Sequence, residues 1–128
     1  MTGHELVEII RSYLAEKGLS PTIDETGDIA FKYEGFSYYI SVEESEYFVR
    51  LVFPSFCEIE PGHFPRLAFA AFEVMRETRA IKIFSVGNQM YATTEMFVSH
   101  KNSFNLVFGR SIRALAGGCK KFVALLDA

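Results

Sequence analysis

The chain opens on apolar residues at helical spacing. Leu6, Ile9, Ile10, Tyr13 and Leu14 fall within one arc at 3.6 residues per turn. Ahead of them Thr2 and Glu5 form a T-x-x-E capping box, and Gly18 supplies a left-handed stop, so a helix over residues 3–17 is predicted. From Pro21 the period drops to two. Ile29, Phe31 and Tyr33 alternate with Ala30, Lys32 and Glu34; after Gly35, residues Phe36, Tyr38, Ile40 and Val42 share one side of a second strand. In a third strand over residues 47–53, Tyr47, Val49, Leu51 and Phe53 face away from Phe48, Arg50 and Val52. The acidic Glu43-Glu44-Ser45-Glu46 stretch makes the turn before it, and Pro54 is expected to close it. Loops this short exclude parallel crossovers, so the three strands form an antiparallel meander.

Pro61, Gly62 and Pro65 then mark a loop and a helix start. On that helix Phe64, Leu67, Ala68, Ala71, Phe72, Val74 and Met75 form the expected core arc, with Glu73, Arg76 and Glu77 opposite. Phe69 falls among the charged residues, where it either packs under a neighbouring loop or contacts a partner. Residues 81–86 and 90–98 read as a hairpin around Gly87-Asn88-Gln89. From Ser103 a last helix carries the stripe Phe104, Phe108, Ile112, Leu115, Cys119, Phe122 and Leu126. Gly117-Gly118 interrupts it, each glycine costing up to about 1 kcal/mol relative to Ala, which predicts a kink or a close helix approach. Together these elements predict one α+β domain over residues 1–128. Its antiparallel five-stranded sheet, a three-strand meander plus a hairpin, packs against helices in the order α-β-β-β-α-β-β-α.

Composition agrees with a packed domain. The 128 residues are 49% hydrophobic and 15% aromatic, with 13 Phe, 6 Tyr and no Trp, which excludes a disordered or low-complexity chain. The net charge of −3 hides an asymmetry: residues 1–60 hold 12 acids against 4 bases (−8), and residues 61–128 hold 4 acids against 9 bases (+5). No uninterrupted apolar run reaches the roughly 20 residues of a membrane span, and acids break the N-terminal apolar residues, so a soluble cytoplasmic protein is expected.

The candidate chemistry is sparse. Cys57 and Cys119 lack zinc-ligand spacing, and His4, His63 and His100 stand apart from one another and from the cysteines, so no metal site is expected. Cys57 lies among acids that disfavour its thiolate, and Cys119 lies on a core stripe. No phosphate loop, nucleophile elbow or HExxH motif is present, and neither a catalytic residue nor a cofactor is expected. Nucleic acid is not the expected partner either. The helix-first order is wrong for an RRM, no RNP1 pattern occurs, and the first half's negative excess repels phosphates.

The pattern is more telling on the second face of the sheet. If helices cover the side bearing the larger apolar set, the other side carries Tyr39, Phe48, Val52, Phe84, Tyr91 and Phe97. A sheet face left to water should be polar; a partly aromatic one marks a protein interface. With Phe69, these residues are the candidate interface.

The second half carries a family likeness. Ala70-Ala71-Phe72-Glu73-Val74-Met75-Arg76-Glu77 leads into Ile81-Lys82-Ile83-Phe84, the Gly87-Asn88 turn, Met90-Tyr91-Ala92 and a closing helix with Lys121-Phe122-Val123. With the element order over nearly the whole chain, this resembles the bacterial sensory transduction regulator-like family, whose domain is similar in fold to type III secretion chaperones. The resemblance implies no catalytic residues and action through protein contacts, often as a homodimer. The expected function is therefore non-enzymatic protein binding, with another protein or a second copy as partner. The alternative is a small apolar ligand held between helices and sheet.

Overall fold

The computed structural model describes residues 1–127. Helix α1 (Gly3–Glu16) starts where Thr2 Oγ1 accepts a hydrogen bond from the Glu5 backbone N–H at 3.1 Å. It stops where Gly18, at φ 77°, donates to the Ala15 carbonyl and Leu19 donates to the Leu14 carbonyl. Six strands follow, interrupted by one helix: β1 (Thr22–Ile23), β2 (Ile29–Tyr33), β3 (Phe36–Glu43), β4 (Phe48–Glu58), then α2 (Phe64–Glu77), β5 (Ile81–Val86) and β6 (Gln89–Phe97). Helix α3 (Ser103–Asp127) closes the described chain. All pairings are antiparallel, in the order β1-β2-β3-β4-β6-β5.

The α+β class and the antiparallel sheet are as expected, but the sheet has six strands and not five. The added strand is a two-residue pairing of Thr22 with Ala30 and Ile23 with Ile29. It is held by a tight turn in which the Asp24 carboxylate accepts from the Thr26 N–H, the Thr26 hydroxyl and the Asp28 N–H. The Thr26 hydroxyl bond is the main reason the Asp24 carboxyl lies below the usual carboxylate range. Two residues show no period, so nothing in the hydrophobic pattern marks them.

The third predicted strand also differs. Tyr47 is a left-handed residue at φ 52° after a 3₁₀ turn over Glu44–Glu46, and the strand begins at Phe48. Pro54 does not end it. The strand runs on to Glu58 through an irregularity between Phe53 and Cys57, with Ser55 at φ 47°. A proline is tolerated there because a bulge needs no ladder hydrogen bond from it.

The three helices pack against one face. The core joins Leu6, Ile10 and Leu14 of α1, Leu67, Ala70, Ala71 and Val74 of α2, and the predicted α3 stripe from Phe104 to Phe122, with Leu126 only partly buried against it, to Ile29, Phe31, Tyr38, Ile40, Val49, Leu51, Ile83, Met90 and Ala92 of the sheet. Helix α3 lies between the others, touching both as well as β4, β5 and β6. It is continuous through Gly117 and Gly118, and of the two readings the close approach is the correct one. A Cβ on Gly118 would run into Ile81 Cδ1 and meet Val74 Cγ1 at 3.4 Å, whereas a Cβ on Gly117 meets nothing within 4 Å.

One core assignment is corrected. Phe72 is 66% exposed and Phe64 is exposed too, although both fall on the expected core arc of α2. The buried stripe is centred on Leu67, Ala70, Ala71 and Val74, so the helix is rotated relative to its bulkiest apolar residues. Small alanines let α2 sit close to its neighbours, and the phenylalanines are turned out.

Candidate protein interface

Strand registry decides which side chains share the outer face. Tyr39 pairs with Val52, Val52 with Thr93 and Thr93 with Lys82; Arg50 pairs with Glu95, Phe48 with Phe97, and Phe84 with Tyr91. These residues alternate with the core set and so point away from all three helices. All six sheet residues singled out from the sequence are therefore brought onto one surface, which no element of the described chain covers. Phe97 is 76% exposed. Val52 is the exception in exposure: it is on this face but only 3% exposed, shielded by larger neighbours without belonging to the core cluster.

The face is organised by one carboxylate. Glu95 Oε2 accepts from Arg50 Nε at 3.2 Å and from the Thr93 hydroxyl at 3.0 Å, with Lys82 Nζ at 3.5 Å. The cations also lie over aromatic rings, Arg50 at 5.0 Å from the Phe48 centroid and Lys82 at 5.7 Å from Phe84. Exposed pairs of this kind contribute at most about 1 kcal/mol each. Their effect is to hold the rings as a fixed relief: Phe48 against Phe97 at 5.0 Å and Phe84 stacked on Tyr91 at 6.1 Å. Tyr39, Val52, Tyr91 and Lys82 are among the residues lining a shallow depression of about 480 Å³. Burial pushes the Tyr39 hydroxyl above its ordinary range.

Phe69 is not part of this surface. It is 67% exposed on α2, in the helical layer, so it does not pack under a loop. Phe72 is its exposed neighbour one turn on, and the two flank the solvent pole of the helix. Sequence reading missed Phe72 because an apolar arc drawn through every large residue leans toward the aromatic side; an arc centred on the alanines would have placed it outside. It also missed Glu95, since an acid in a strand carries no signal until registry places two cations beside it.

A second concavity lies between the sheet's inner face and α3. It holds about 300 Å³, with Tyr38, Phe53 and Phe56 on one side and Ala116 and Cys119 on the other. Burial pushes the Cys119 thiol up to about 12 and also raises Cys57 and Tyr38. A thiol so disposed is protonated at neutral pH and is a poor nucleophile. Among the described residues no three His, Cys, Asp or Glu side chains converge as a metal ion would need, and no helix is long and apolar enough to cross a membrane.

Three helices on one face of an antiparallel sheet, in this connectivity, define an α+β fold shared by a bacterial regulator and by secretion chaperones. The solved structure of YbjN, a candidate transcription regulator from E. coli, superposes with a TM-score of 0.74 over 92% of this chain and 91% of its own, at 13% identity. The HopA1-SchA chaperone-effector complex matches at a TM-score of 0.61 and 11% identity, covering 94% of this chain and 92% of that one. The Yersinia pestis type III secretion chaperone SycH, in complex with a fragment of YscM2, matches at 0.55 and 11%, covering 94% and 98%. At these identities the likeness is one of fold. No family model matches the chain, and no curated protein matches it in sequence.

Proposed function

We propose that this protein is a non-enzymatic protein-binding domain that works as a homodimer and buries its bare aromatic sheet face against a protein surface. One observation carries this reading: a six-stranded sheet whose uncovered face holds Tyr39 beside two ring pairs, Phe48 with Phe97 and Phe84 with Tyr91. An aromatic centre with a few fixed charges is the composition of an interface core. The exposed Phe69 and Phe72 of α2 offer a second apolar ridge on the opposite layer. Two structures of this fold, SchA and SycH, are complexes with another protein, which makes protein binding a natural use of the scaffold. The acidic first half and basic second half give two copies a reason to meet in a defined orientation.

Light scattering across a concentration series tests both parts. The wild-type chain is expected to have the mass of two copies. Phe97→Asp and Phe69→Asp, each at an exposed position, should fold normally, and at least one should shift the protein toward monomer. A wild-type monomer at high micromolar concentration overturns the homodimer, and a dimer that neither substitution weakens overturns its assignment to these surfaces.

A further inference from the structure

The concavity between β4 and α3 has a composition that protein binding by the outer face does not use. Its origin is local. The irregularity in β4 around Pro54 and Ser55 brings Phe53 and Phe56 to the helix side together, their rings 5.7 Å apart. Phe56 is wedged edge-on against the buried Phe122, while the Phe53 ring lies 4.6 Å from Tyr38 at a tilt of 47°. Opposite this aromatic wall α3 presents the small Ala116 and Cys119, with its larger Lys120 and Val123 at the mouth. The result is a pre-formed space, held open by rings already fixed by one another.

Its mouth is polarised. Phe36 (53% exposed) and Val123 (42% exposed) form an apolar lip, with Lys120 on the helix side and Glu34 on the hairpin side. No ion pair among the described residues engages Lys120. At about 300 Å³ the cavity is at the small end of ligand pockets. It has room for roughly ten water-sized groups, equivalent to an unbranched chain of about eight to ten carbons.

We propose that this cavity binds a small anionic amphiphile, a medium-chain carboxylate whose tail lies between the Phe53–Phe56 wall and Ala116 and whose head meets the Lys120 ammonium at the mouth. The site is distinct from the outer sheet face. Glu34 opposes the head and holds the affinity down.

Calorimetric titration of the full chain with decanoate, and separately with decanol, tests this. Saturable one-to-one binding of decanoate is expected, weakened about 5-fold by Lys120→Glu, as for loss of an exposed ion pair, and strengthened by Glu34→Gln. Ala116→Phe, checked for folding by circular dichroism, should abolish it by filling the cavity. Absence of saturable binding by either compound overturns the site. Decanol binding as tightly as decanoate, with no effect of Lys120→Glu, overturns the anionic head. Decanoate binding unchanged in a folded Ala116→Phe variant shows that the ligand sits elsewhere and overturns the location. Light scattering on the same samples reads the dimer independently, so the two proposals stand or fall separately.

Discussion

Adjacent glycines in one helix should respond to the same substitution with opposite sign. Gly117 has nothing within 4 Å of an added Cβ, so Gly117→Ala removes backbone entropy from the unfolded chain and adds helix propensity, a gain of about 0.5–1 kcal/mol. At Gly118 the same methyl meets Ile81 Cδ1 and Val74 Cγ1, whose side chains are 8% and 1% exposed and enclosed by the core. Overpacking of that kind costs about 1–3 kcal/mol. Set against the same propensity gain, Gly118→Ala is expected to destabilise by about 1 kcal/mol, leaving the two variants about 2 kcal/mol apart. Equilibrium urea unfolding reads this as opposite shifts in midpoint at constant slope. Ile81→Val removes the very atom that is struck. Made alone it costs about 1 kcal/mol, but combined with Gly118→Ala it should cost less than the sum of the two. If Gly118→Ala raises the midpoint as Gly117→Ala does, α3 does not approach α2 and β5 as described, and the packing argument for Gly118 fails.

Other outcomes follow from single contacts. A Cβ on Gly3 would run into the Glu44 backbone and Cβ, so Gly3→Ala should displace the start of α1, which Tyr47 also holds by a 2.8 Å hydrogen bond from its hydroxyl to the Met1 carbonyl; a loss of about 1–3 kcal/mol in urea unfolding is expected. The buried Thr94 hydroxyl has no hydrogen-bond partner among the described residues, so Thr94→Val should stabilise by about 1 kcal/mol, and a lowered midpoint would refute this. Burial raises the Cys119 thiol from 9.0 to about 12, so the unfolded chain gives up this proton first. Stability is therefore full below about pH 9 and falls as pH rises toward 12, and Cys119→Ala should flatten that slope; with a thiol reagent at pH 8, Cys57 should react well before Cys119. Phe72→Asp should leave the unfolding midpoint within about 0.5 kcal/mol of wild type, because the ring is solvent-facing; a large loss would return Phe72 to the core.

Periodicity is a local property, and what depends on it is readable from the chain alone. The order of helices and longer strands, the inward set Ile29, Phe31, Tyr38, Ile40, Val49 and Leu51, and the α3 stripe from Phe104 to Phe122 all follow from spacing, because a side chain's direction relative to its neighbours is set by the backbone geometry of its own element. The gathering of Tyr39, Phe48, Val52, Phe84, Tyr91 and Phe97 on one face follows from the same alternation once the strands pair in register. Tertiary structure decided the rest. A helical wheel fixes the angles between Phe69, Phe72 and Ala71 but not the rotation at which the helix docks; contact with α3 and β5 set that rotation and turned Phe72 outward. Thr22 and Ile23 became a sixth strand only because β2 lay beside them, and Pro54 sits inside β4 only because a bulge removes the need for its missing N–H. The cavity under α3 exists because residues sixty positions apart, Phe56 and Ala116, happen to be large on one side and small on the other. No pattern within a single element encodes such a gap: it is a difference in size between surfaces that meet only in the folded chain.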